Sequence, residues 1–193
     1  MRTYTLGMLL LLLLLITSAT EASVILDADG SANGTDISNK TTGITASAVG
    51  ILPANSSVFA VTSGSTSTGS EVLGWFNTIY FTTLNGGNVA FRFDFSPGAS
   101  QVWIDIIGNN ESSAGDATLT AYDSSNAVLG TDSTSGLGIN QIDTLTFAGA
   151  IDHFTVTGNS ANVDHLVVNL VPEPASIALI GFGAIGLLRW CHV

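Results

Sequence analysis

Val89-Ala90-Phe91-Arg92-Phe93-Asp94-Phe95 decides the fold. Four apolar side chains recur at every second residue, with Arg92 and Asp94 between them. Only an extended chain, whose side chains alternate between two faces, puts Val89, Phe91, Phe93 and Phe95 together. Outward from this strand the same period returns. Ser96-Pro97-Gly98 predicts a turn, and Val102 to Ile107 a second strand. Ala117 to Ala121, the turn Asp123 to Asn126 and Ala127 to Leu129 read as a hairpin. Ile142 to Phe147, Ile151 to Val156 and Val163 to Leu170 complete the set. Earlier candidates are Val24 to Leu26, Ile44 to Val49, Val58 to Val61 and Trp75 to Phe81. Helical periodicity is nearly absent. Many short strands at regular spacing predict an all-β fold, a two-sheet jelly-roll-like β-sandwich.

The two ends read differently from this middle. Arg2, the apolar run Leu6 to Ile16 and the small residues up to Ala22 have the layout of a cleaved N-terminal signal peptide, residues 1–22. Cleavage is expected after Ala22 or after Ala19. At the other end, Val171-Pro172-Glu173-Pro174 precedes an uncharged stretch over 175–188, and then Arg189. That stretch is 14 residues long, about 21 Å as a helix, so it predicts one short C-terminal transmembrane helix. The expected organisation is therefore 1–22 signal peptide, 23–170 ectodomain and 171–193 tail.

Charge narrows the function. Of 15 acidic and four basic residues, only Glu21, Glu173, Arg2 and Arg189 lie outside Ser23 to Val171, so the whole net charge of −11 sits in the exported part. Such a surface repels nucleic acid and anionic lipid. The single cysteine, Cys191, follows the apolar tail, so the ectodomain has no disulfide framework and no thiol chemistry.

Pro172-Glu173-Pro174, the apolar span and the basic Arg189 resemble the PEP-CTERM sorting signal that exosortase recognises, although that family's tails usually carry several arginines. The resemblance implies export across the inner membrane, processing by exosortase, and a final location at the cell surface or in the extracellular matrix. A looser resemblance joins Leu119 to Ser124, Ile151 to Val156 and Asn162 to Val168 to bacterial galactose-binding-like jelly rolls. In such domains the first and last strands lie close and often hold a structural calcium, which here implies Asp27, Asp29 and Asp164 as ligands. The string from Asp29 to Gly34 imitates an EF-hand loop, but Lys40 stands where a bidentate Glu is required, so that reading fails.

For sugar binding Trp75, beside Gly74 and near Asn77, is the expected aromatic platform, whereas Trp103, flanked by Val102 and Ile104, is expected in the core. Thr62 to Ser70, a pure Ser/Thr/Gly tract, is expected to be an exposed loop. No Gly-x-Ser-x-Gly string occurs. Asp152-His153 and Asp164-His165 are strand neighbours on opposite faces, so neither Asp is expected to orient its own His. These readings favour a non-catalytic protein that binds or organises exopolysaccharide. The alternative is a purely structural matrix or adhesion protein; a secreted hydrolase using an unrecognised carboxylate pair is third.

Overall fold

The computed structural model describes residues 21–50, 57–76, 80, 81, 84, 89–109 and 115–171. Ser23–Leu170 forms a compact unit with its own core. The described residues form ten strands: β1 (Ala22–Leu26), β2 (Ile44–Gly50), β3 (Phe59–Thr62), β4 (Glu71–Phe76), β5 (Tyr80–Phe81), β6 (Val89–Gly108), β7 (Gly115–Tyr122), β8 (Val128–Leu137), β9 (Ile142–Asn159) and β10 (Ala161–Leu170). No helix occurs among the described residues, and so none there is long and apolar enough to cross a membrane. The signal peptide and the expected span at 175–188 lie outside them.

The fold is an all-β sandwich built around two long strands. The first half of β6, Val89 to Phe95, pairs with β2 and with the His153 to Val156 part of β9. Its second half, from Ala99 on, pairs with β10 and with the Ile142 to Ile151 part of β9. Register shifts between Asp94 and Gln101 mark the change of sheet, and the Ser96–Pro97 peptide bond there is cis. Strands that pass from one sheet to another through bulges are a known way to make a sandwich corner. The sequence reading is corrected here. The turn expected at Ser96-Pro97-Gly98 is a corner within the continuous strand β6, because the chain bends there without reversing.

All strand pairing is antiparallel where the register is defined, and hydrogen bonding runs β3-β4-β10-β6-β9-β7-β8, with β1 on β10, β2 on β6 and β5 on β4. Phe91, Phe93 and Phe95 point inward as their alternation demands. Phe93 stacks on Phe154, its cross-strand partner, at 4.8 Å, and Phe95 lies 5.7 Å from the same ring. Each buried phenyl contributes about 1.5–3 kcal/mol of transfer free energy, and such pairs add roughly 0.5–1.5 kcal/mol more. The expected hairpin forms between β7 and β8. Asp123 Oδ1 accepts hydrogen bonds from the Ser125 and Ala127 N–H groups, and the left-handed Asn126 reverses the chain.

β10 departs from simple alternation. Ala161 and Val163 face the core, and so do Leu166 and Val168, with two residues, Asp164 and His165, between the two pairs where alternation would leave one. The shift comes from a bulge between Asp164 and Leu166, where His165 has φ 41°. One extra residue flips every later side chain to the other face. The bulge therefore keeps Leu166, Val168 and Leu170 inside while Asn162 and Asp164 stay on the outer face.

Candidate functional site

The inward Phe residues of β6 leave Arg92 and Asp94 on the outer face, and pairing extends that face across four strands. Residues directly opposite in an antiparallel ladder share a face. One row reads Thr45, Asp94, His153, Tyr122; the next reads Ser47, Arg92, Thr155, Thr120. The face thus carries hydroxyls, one cation, one carboxylate and one phenol. An open cleft of about 650 Å³ sits at its β2 side, lined by Ser38, Asn39, Thr45, Ser47, Arg92 and Asp94 among others.

Arg92 and Asp94 form a fork. Nε donates to Oδ1 and Oδ2 at 2.9 and 3.0 Å, and Nη2 donates to Oδ1 at 2.6 Å. These hydrogen bonds, donated by Arg92 and accepted by Asp94, raise the guanidinium pKa above its ordinary value. The pair is partly exposed, so it neutralises the floor of the cleft while leaving oxygen and nitrogen edges for a ligand. Further along the row, Tyr122 stacks on His153 with centroids 4.7 Å apart and planes 9° from parallel. His153 is 3% exposed, and its Nδ1 lies 3.1 Å from Asp152 Oδ2. The expectation that Asp152 cannot reach its own neighbour is corrected: next to the corner after Ile151 the carboxylate reaches around to the ring.

The two tryptophans exchange places. Trp75 is 5% exposed and belongs to the hydrophobic core. A stacking platform needs an open ring face, so the binding role expected of Trp75 is withdrawn. Trp103 alternates with the buried Val102 and Ile104, which puts it on the outer face between Val167 and Thr146, partly exposed. The pattern of β6 held this information, because Trp103 has the parity of Gln101 and Asp105; apolar neighbours on both sides hid it.

Asp27, Asp29 and Asp164 are brought to one corner, where β1 lies against β10. Each carboxylate is already engaged. Asp27 accepts from the Asp29 N–H at 2.9 Å and the Thr68 hydroxyl at 3.3 Å, and meets His165 Nδ1 at 2.8 Å. Burial pushes the Asp27 carboxyl up, but these partners outweigh it and hold it below its ordinary value. Asp29 accepts from the Ser70 and Glu71 N–H groups. Asp164 is fully buried and accepts from the Ser67 N–H and hydroxyl and from the Thr68 and His165 N–H groups. Burial nonetheless raises its pKa. In this structure these oxygens are directed at N–H and O–H donors rather than gathered as a set of ligands. This donor set does not fit the calcium expected from Asp27, Asp29 and Asp164, and among the described residues no group of three or more His, Cys, Asp or Glu forms a metal site.

The donors come from the tract expected to be an exposed loop. Residues 62–70 instead lie over the outer face of β10. Ser65 is 4% exposed, and Asn162, itself fully buried, donates to the Ser63 hydroxyl and the Ser65 carbonyl at 2.9 Å each. Small side chains let the backbone approach the carboxylates. At Gly69, with φ +43°, a Cβ would stand 2.0 Å from Asp29 Oδ1.

Residues 170–191 match the family described as the PEP-CTERM protein-sorting motif. The chain carries a PEP-CTERM sorting motif. That motif implies export, sorting to the cell envelope or surface, and processing by exosortase. Of its residues Val171 closes the described structure, while Pro172, Glu173, Pro174 and Arg189 lie outside it. No curated protein matches the chain. Among solved structures, a xylan-binding domain from CBM 22 is similar over 81% of this chain and 98% of its own, at 14% identity and TM-score 0.46. A point mutant of CBM29-2, a family 29 carbohydrate-binding module, is similar over 79% and 91%, at 13% identity and TM-score 0.40. An exo-beta-1,3-galactanase from Phanerochaete chrysosporium, solved with galactose, is similar over 76% of this chain and 29% of its own, at 13% identity and TM-score 0.37.

Proposed function

We propose that this PEP-CTERM protein binds an uncharged polysaccharide of the cell surface or extracellular matrix, without cleaving it, through the outer face of β2, β6, β9 and β7. The observation that carries the reading is the cleft beside the Arg92–Asp94 fork. Hydroxyls of a sugar need donors and acceptors held in fixed positions, and the fork, Asn39, Thr45 and Ser47 supply both. Tyr122, held flat on His153, offers an aromatic edge beyond the cleft. Uncharged polymers are favoured because Arg92 is already paired and the exported part carries the whole −11 charge. An anionic polymer would meet repulsion, and Arg92, the one cation among the described residues of the cleft, is already paired with Asp94. The span at 175–188 holds the precursor in the membrane until exosortase cuts near Pro172-Glu173-Pro174.

Affinity gel electrophoresis through the producer's own polysaccharide, and through neutral and acidic polymers, tests this. Retardation by the neutral polymer, lost in Asn39→Ala combined with Arg92→Ala and kept in Trp103→Ala, is the expected result. Free migration in every gel would leave the purely structural role in its place. Loss in Trp103→Ala alone would move the binding face to the opposite sheet.

A further inference from the structure

The corner that does not fit calcium contains a cation of its own. Lys40 Nζ donates to the carbonyl of Asp27 at 2.7 Å and to the carbonyl of Asp29 at 2.8 Å. Both carbonyls belong to the turn that follows β1, and both point to one spot from the same side. A bound calcium would collect such carbonyls together with carboxylate oxygens at about 2.3–2.6 Å. Here the carbonyls converge on an ammonium, and the carboxylates turn away to the Thr62 to Ser70 tract and to His165. The division is chemically consistent. An ammonium offers three N–H donors and suits neutral carbonyls, while the carboxylates serve the backbone N–H groups of the tract.

We propose that Lys40 is a built-in cation: its ammonium stands where a divalent ion would otherwise gather the Asp27–Asp29 turn, so the corner closes without metal. The same residue bears on the cleft. Lys40 N–H donates to the Ile37 carbonyl, and the next residue, Thr41, donates its hydroxyl to the Ile25 carbonyl at 2.7 Å. The segment carrying Ser38 and Asn39 is thereby pinned to the end of β1. Lys40 is a positioning residue for that wall of the cleft, and the wall keeps its shape whether or not calcium is present in the surroundings. This inference goes beyond polysaccharide binding and does not depend on it.

The test uses the full chain purified in detergent, as wild type and as Lys40→Met, which keeps the aliphatic stem and removes the charge. Thermal unfolding is followed with calcium, with magnesium and with chelator, and bound metal is measured by elemental analysis. For the wild type, no stoichiometric calcium and a Tm unmoved by any of the three additions are expected. Lys40→Met should melt lower and recover part of the loss with calcium, because the two carbonyls and the nearby carboxylates are then open to an ion. One calcium per wild-type chain, or a wild-type Tm that falls in chelator, overturns the proposal; this arm stands even if the variant fails to fold. A Lys40→Met protein that melts like the wild type overturns it too, as does a lower Tm that neither ion recovers.

Discussion

The two outer faces of the sandwich treat polar strand residues in opposite ways. On the face of β2, β6, β9 and β7, Arg92, Asp94, Thr45 and Thr155 stand open beside a cleft. On β10, Asn162 and Asp164 are as polar but fully buried beneath residues 62–70, with Ser67 and Thr68 donating to the carboxylate. The difference is one of accounting for hydrogen bonds. A covered carboxylate must receive its partners from the cover, whereas an open one can receive them from water or from a ligand. A loop of Ser, Thr and Gly on β10 is therefore part of the fold, whereas among the described residues no such loop covers Arg92 and Asp94.

Breaking the covered face should cost most. Asp164→Ala strips the partner from the Ser67 and Thr68 N–H groups and is expected to destabilise by about 1–3 kcal/mol in denaturant unfolding. An unchanged midpoint would mean that the cover does not depend on Asp164. Next comes Gly69→Ala, where a left-handed φ and a Cβ meeting the Asp29 carboxylate predict a loss of about 1–2 kcal/mol. A variant as stable as the wild type would show that the tract can lift away freely.

Acid titration of stability separates the two carboxylates of the corner by sign. The folded pKa of Asp27 lies below its ordinary value of 3.8, so its contribution is present above 3.8 and lost as pH falls through the lowered value. The folded pKa of Asp164 lies above 3.8, so its contribution has the opposite sign: present below 3.8, lost as pH rises through the raised value. Asp164→Asn should accordingly flatten the loss on the rising limb while leaving the acid limb in place. Identical profiles for wild type and variant would remove Asp164 from the account. The smallest effect is expected on the open face, where Thr155→Ala should change stability by less than about 0.5 kcal/mol. A larger loss there would mean that this face is structural after all.

Several residues show how far the sequence could be read. Phe91, Phe93 and Phe95 were legible because a period of two over seven residues has one physical solution. The outward position of Trp103 was present in the same parity and was masked by its apolar neighbours. Trp75, next to a glycine in a short strand, carried no signal of its burial. The bulge at His165 had none either, since nothing local marks which residue of Asn162 to Leu170 is the extra one. The partnership of Lys40 with the Asp27 and Asp29 carbonyls spans 13 and 11 residues along the chain, too far for any local rule.

By itself the sequence determined the all-β class, the strand that anchors the core, the acidic and cysteine-free character of the exported part, and the PEP-CTERM sorting motif at residues 170–191. These follow from side-chain period, charge and a contiguous motif, all of which are local properties. Only the tertiary structure decided that Trp75 is buried, that the Ser/Thr tract covers β10, that Lys40 occupies the corner, and that the cleft lies beside Arg92 and Asp94. Each of those depends on which strands pair and where two of them turn from one sheet to the other, and strand pairing is a contact between residues far apart in the chain.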